Sequence, residues 1–201
     1  MGVPRALYTD FPLGLSLGKP EDEEFQTQVI LSAFELLKET KGPVIRDFPI
    51  IISATDSEPL HCALPARLNP GLHPAVDEAQ ALRAAYERAL EKTKKTSVGM
   101  RIGALDIPDA LAKFAQIAEG EHWKTLGFSA ESIYGTVHDI RSYYEELACE
   151  LAEAPIAPWA TEQWFYEQTE AGDLVLKARR AMRDKQVAQE VWFGLAPAGR
   201  E

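Results

Sequence analysis

Ile133, Val137, Ile140, Tyr144, Leu147 and Leu151 recur in alternating steps of four and three within SAESIYGTVHDIRSYYEELACELAEA, positions 129–154. A strand turns successive side chains to opposite faces and cannot gather these six on one side. A helix can, and an apolar stripe this long must be covered by other elements. Whatever else the chain does, it has to build a helical layer around this segment.

The flanking sequence supplies one. HPAVDEAQALRAAYERALEKTKK reads as a helix with proline in its first turn, acids early and lysines late, in line with the helix dipole. Its stripe is Val76, Ala79, Leu82, Tyr86 and Leu90. DIPDALAKFAQIAEGEHW reads as a helix capped by Asp106 and stopped near Gly120. TEQWFYEQTEAGDLVLKARRAMRDKQ gives a short and a longer helix divided around Gly172. Two stretches stay open: SVGMRIGAL (97–105) as a third strand or a loop, and EVWFGLAP (190–197) as an edge strand or an ordered tail.

The first quarter reads differently. RALYTDF (5–11) is a short apolar strand, and VIRDFPIIISA (44–54) is a buried strand rich in β-branched residues. Between them a helix runs from Pro20 to about Lys38, with Phe25, Val29, Ser32 and Leu36 on one face and Ile30, Phe34 and Leu37 on another. Apolar residues on two sides call for more than one packing neighbour. The expected fold class is therefore α/β: a small N-terminal sheet, parallel through a strand–helix–strand crossover, with a mostly helical C-terminal two-thirds packed on it in a single domain. An irregular connection over 55–73 separates the two parts.

The net charge of −10 excludes a basic nucleic-acid-binding face and docking on an anionic membrane. Two cysteines, Cys62 and Cys149, make no disulfide framework. No apolar run is long enough to span a bilayer. The first residues carry no secretory signal, and Ala6 stands where a myristoylation signal wants a hydroxyl. A reducing cytoplasm is the expected location.

DFPLGLSLGKP (10–20) invites comparison with a phosphate-binding loop. Its glycines, Gly14 and Gly18, are too close, Pro20 replaces the magnesium-binding hydroxyl, and the acids at 21–24 repel phosphate. It reads better as a hinge from strand to helix. As a ligand loop for a compact molecule it offers Gly14, Gly18 and Lys19, the lysine holding a carboxylate.

Other polar residues have two readings each. His61, Cys62, His73 and Asp77 are of metal-ligating type, but their spacing matches no standard site, and no metal is expected. Cys62 is a candidate redox thiol or a buried small hydrophobe. His138, Ser142 and Glu145 lie at i, i+4 and i+7, with Arg141 and Glu146 beside them. They form an acid–base pair with an anion-holding arginine, or a solvated helix face. Trp159, Trp164, Phe165, Tyr166, Tyr143 and Tyr144 form either a cation-binding aromatic cage or core packing.

The string DFPLGLSLGKPEDEEFQTQVILSAFELL resembles the opening of short proteins grouped with the glycine/sarcosine/betaine and D-proline reductase B components. The shared pattern is an apolar strand, a Phe-Pro-Leu-Gly turn, a Gly-Lys-Pro step and a helix with an early glutamine, here Gln26, over about fifty residues. The resemblance implies thiol- or selenol-dependent reductive cleavage of an amino-acid-derived substrate within a multi-protein complex. Neither cysteine lies in the glycine-rich turn that such chemistry uses, so no catalytic residue carries over.

The sequence thus predicts an enzyme or enzyme subunit acting on a small amino-acid-like molecule, with catalytic candidates Cys62, His138 and Glu145 and ligand-binding candidates Gly14, Gly18, Lys19, His61 and Arg141. The other class is a non-catalytic interaction or scaffold subunit. A small-molecule ligand and a homo-oligomer or complex partner are expected. The cofactor is left unassigned.

Overall fold

The computed structural model describes residues 4–11, 15–18, 22–52, 60–152, 156, 160–197 and 200. They divide into two compact units, one over residues 4–52 and one from residue 60 onward. The fold is α/β with a helical majority.

In the first unit, β1 (Arg5–Tyr8) pairs in parallel with β2 (Val44–Asp47), Arg5 opposite Val44 and Tyr8 opposite Asp47. Helix α1 (Glu23–Glu35) joins them and ends in a 3₁₀ turn, Leu36–Lys38. It starts later than the sequence suggests, because the Asp22 carboxylate accepts the Phe25 N–H (3.1 Å) and fixes the first turn there. The core of this unit is small. Val29, Leu36 and Phe48 are buried, and the rings of Phe11, Phe25 and Phe48 lie 5.7–5.8 Å apart in tilted and edge-on pairs. β2 is shorter than expected and is not a buried strand: Ile45 is 71% exposed. With two strands and one helix among the described residues, the unit has too few layers to cover it.

The second unit is all helical. Helices α2 (Pro74–Ala81) and α3 (Arg83–Thr93) occupy the stretch expected as one helix, broken at Leu82. Pro74 opens α2, and the His73 ring accepts the Ala75 N–H at 3.3 Å. Helix α4 (Ile107–Ala118) follows a 3₁₀ turn at Ala104–Asp106. Asp106 precedes it, but its carboxylate accepts from Gly103 N (3.1 Å) and caps that turn. Helix α5 (Ala130–Leu151) carries the seam: Ile133, Val137, Ile140, Tyr144 and Leu147 are buried and Leu151 partly so. Helices α6 (Ala160–Gln168) and α7 (Glu170–Asp184) divide at Thr169, not at Gly172. The Thr169 hydroxyl accepts the Gly172 N–H (3.0 Å). A side chain at Gly172 would meet the Phe165 carbonyl at 1.9 Å, so glycine is what lets α7 start against the end of α6.

The 190–197 segment is neither a strand nor a tail. It forms α8 (Gln189–Trp192) and a 3₁₀ turn, Phe193–Leu195. The aromatic segment is core: Trp164, Phe165, Tyr143 and Tyr144 are fully buried, while Trp159 lies outside the described residues. α3 packs on α5, α4 on α7, and α2 on both α4 and α7. Among the described residues no helix is long and apolar enough to cross a membrane.

Candidate functional site

Three buried carboxylates hold the helical unit together, and each answers backbone amides. Asp139, in the middle of α5, accepts from the N–H groups of Gly99, Met100, Arg101 and Ile102 at 2.7–2.9 Å. The 97–105 segment is therefore a loop clamped to a helix, not a strand. Burial pushes the Asp139 carboxyl up, but the four amides outweigh it and hold it below the usual carboxylate range. Asp77 accepts from Leu68 and Asn69 N–H at 2.9 and 3.0 Å, tying the irregular segment before α2 to that helix. Glu78 accepts from Glu170 and Ala171 N–H at the start of α7 and from the Tyr144 hydroxyl (3.0 Å). There burial wins, and the Glu78 carboxyl is raised.

Of the expected ligand loop, Gly14 and Lys19 lie outside the described residues, as do residues 53–59 of the irregular connection. Gly18 belongs to the first unit, with φ +98°, and donates to the Leu15 carbonyl (2.8 Å). A Cβ there would fall 2.4 Å from the Phe25 ring. Gly18 thus ends a tight turn that lies against the Phe25 ring.

Cys62 is buried, and its Sγ faces the Ala148 carbonyl at 3.8 Å. Burial, and secondarily Cys149, pushes its thiol up, opposite to the shift that activates a nucleophile. Cys149 is exposed on α5, and its thiol is also raised, by burial first and then by Glu145 and Glu146. His61 is exposed. His73 caps α2 and Asp77 anchors the segment before it. Among the described residues no group of three or more His, Cys, Asp or Glu is gathered around a metal-sized centre.

Half-buried His138 sits beside Asp139, its Nδ1 3.8 Å from Oδ1 and without a hydrogen bond. Its helical neighbour Ser142 is buried rather than solvated.

Arg141 and Glu145 do come together, Nε to Oε1 at 3.1 Å. Burial raises the Glu145 carboxyl, Arg141 opposes it, and Glu162 and Glu146 add to the rise. Glu162 of α6 extends the pair, 3.8 Å from Arg141 and 4.0 Å from Arg200. Arg200 also pairs with Glu167 (3.0 Å) and lies 5.2 Å over the Tyr166 ring.

This chain of charges leads to a cavity that the sequence reading missed. Arg179, Arg180 and Arg183 of α7, Arg200 and Leu176 line it. Arg179 is only 9% exposed, and its Nε has no hydrogen-bond partner. Its Nη1 donates to the Arg200 carbonyl (2.5 Å) and its guanidinium lies 5.6 Å over the Trp192 ring. Those contacts fix the fork without neutralising it. Arg180 is half-buried and has no ion-pair partner among the described residues. The cavity is about 10 Å³, the room of one water-sized group. The signal in the sequence was KARRAMR: Arg183 stands four residues after Arg179 and three after Arg180, so it neighbours each of them on the helix surface. Nothing in the sequence places Arg200 beside them.

No protein-family model, curated protein or solved structure matches this chain.

Proposed function

We propose that the helical unit binds a small carboxylate-bearing molecule of the amino-acid kind, with the carboxylate seated among Arg179, Arg180, Arg183 and Arg200. The observation that carries this reading is Arg179: a buried guanidinium with an unpartnered Nε on a cavity lined by three further arginines, in a chain of net charge −10. A buried cation with unmet donors gains from an anion, and a guanidinium fork matches the two coplanar oxygens of a carboxylate. Both thiols are pushed up, which favours a binding subunit over a chain that itself supplies a reactive thiolate. Any reductive step would then belong to a partner protein.

Isothermal titration of the full chain at low ionic strength, with glycine, glutamate, succinate and inorganic phosphate, tests the proposal. The expected result is one saturable site per chain for at least one carboxylate, weakened about tenfold or more in Arg180→Ala with unchanged circular dichroism. No saturable carboxylate binding, binding indifferent to Arg180→Ala, or phosphate binding tighter than every carboxylate would overturn it.

A further inference from the structure

A further cavity of the helical unit is formed by α4, the clamped 97–105 loop, Phe128 and the first half of α5. Its volume is about 270 Å³, just under the roughly 300 Å³ at which ligand clefts begin, so it suits a small molecule and not a peptide.

The wall carries both signs of charge. Asp106, Asp109 and Lys113 are exposed side chains on it. Asp109 and Lys113 are four apart on α4, the spacing at which opposite charges on a helix meet. They do not pair. Among the described residues neither belongs to an ion pair, and the Lys113 ammonium lies 5.6 Å over the Phe128 ring instead. Asp106 accepts the Gly103 N–H through Oδ2, and its Oδ1 has no partner among the described residues. The neighbouring arginines are taken up elsewhere. Arg101, next to Ile102, pairs with Glu131, and Arg83 donates to the Ala104 carbonyl.

The rest of the lining is apolar or neutral. Ile102 and Phe128 are half-buried. The buried Thr136 hydroxyl donates to the Ser132 carbonyl (2.8 Å), so its lone pairs are free to accept. Two carboxylates and an ammonium, unpaired around one small cavity, complement a molecule that bears both charges. A simple amine would meet Lys113 as a like charge, and a simple carboxylate would meet the two aspartates.

We propose that this cavity binds a free α-amino acid with an apolar side chain. The ammonium group sits against Asp106, Asp109 and the Thr136 hydroxyl, the carboxylate meets Lys113, and the side chain lies on Ile102 and Phe128. The site shares no residue with the arginine cavity on α7 and stands whether or not that cavity holds a ligand.

Isothermal titration of the full chain at neutral pH with L-leucine, 3-methylbutylamine and 4-methylpentanoate is the test. The last two keep the leucine skeleton with one charge each. The expected result is saturable leucine binding, about tenfold or more tighter than either analogue. Asp109→Asn and Lys113→Met, at exposed positions and with unchanged circular dichroism, each weaken leucine about tenfold. Arg180→Ala leaves it unchanged, which separates this site from the arginine cavity. No saturable leucine binding, an analogue that binds as tightly as leucine, or leucine binding that survives Asp109→Asn or Lys113→Met or is lost in Arg180→Ala would each overturn the proposal.

Discussion

The two units handle their apolar residues in opposite ways. In the helical unit, Trp164, Tyr143, Tyr144, Phe114 and Phe165 are fully buried, and the buried carboxylates Asp77, Glu78 and Asp139 are answered by backbone amides. In the N-terminal unit, a small core of phenylalanines lies beneath a helix whose second apolar face is bare and a strand whose Ile45 is exposed. The difference is one of layers. A seam on a long helix can be enclosed by several neighbours, whereas a two-stranded sheet with one helix cannot cover both its faces. The helical unit is complete as a fold and can hold a rigid charged cavity. The N-terminal unit leaves the second apolar face of α1 exposed.

Substitutions sharpen or break that contrast. Trp164→Ala removes a fully buried side chain and should cost about 3–5 kcal/mol in denaturant unfolding. Gly172→Ala drives a methyl group into the Phe165 carbonyl and should cost about 3 kcal/mol, the upper range for over-packing. Asp139→Asn weakens four charge-assisted hydrogen bonds and should cost about 2 kcal/mol at neutral pH.

The two buried anchors also predict opposite pH slopes. Asp139 has a lowered folded pKa. Its contribution is full above about pH 4, the unfolded carboxylate value, and disappears as pH falls through the folded one. Glu78 has a raised folded pKa. Its contribution is full below about pH 4.3 and is lost as pH rises through the folded value. Stability measured against pH for Asp139→Asn and Glu78→Gln beside the wild type reads both slopes, and equal slopes would refute the assignment. The smallest effect falls in the N-terminal unit. Gly18→Ala strains a positive-φ turn and crowds Phe25, yet should leave the main unfolding transition within about 0.5 kcal/mol, because that transition belongs to the helices.

What the sequence disclosed follows from the same contrast. The α5 seam was legible because six apolar positions keep one period from Ile133 to Leu151. The parallel strand pair was legible because two short apolar runs flank one helix, and α1's second apolar face was visible as a demand for another neighbour. The clamp on 97–105 was not legible: its shape is set by Asp139, about forty residues away, and no local pattern announces such a partner. Burial of Cys62 was one of its two readings, but its irregular stretch carries no period that would place it against α5. Arg141 and Glu145 were both singled out on α5, but their ion pair and the link through Glu162 to Arg200 exist only in the folded chain.

Native-state hydrogen exchange on the full chain tests the central contrast most directly, since it reads the opening free energy of each element separately. Amides of α4, α5 and α7 should exchange only through global unfolding, at a rate independent of protein concentration. Those of β1, β2 and α1 should exchange faster, through local opening. If α1 and the strands prove as protected as α5, the contrast between the two units is wrong.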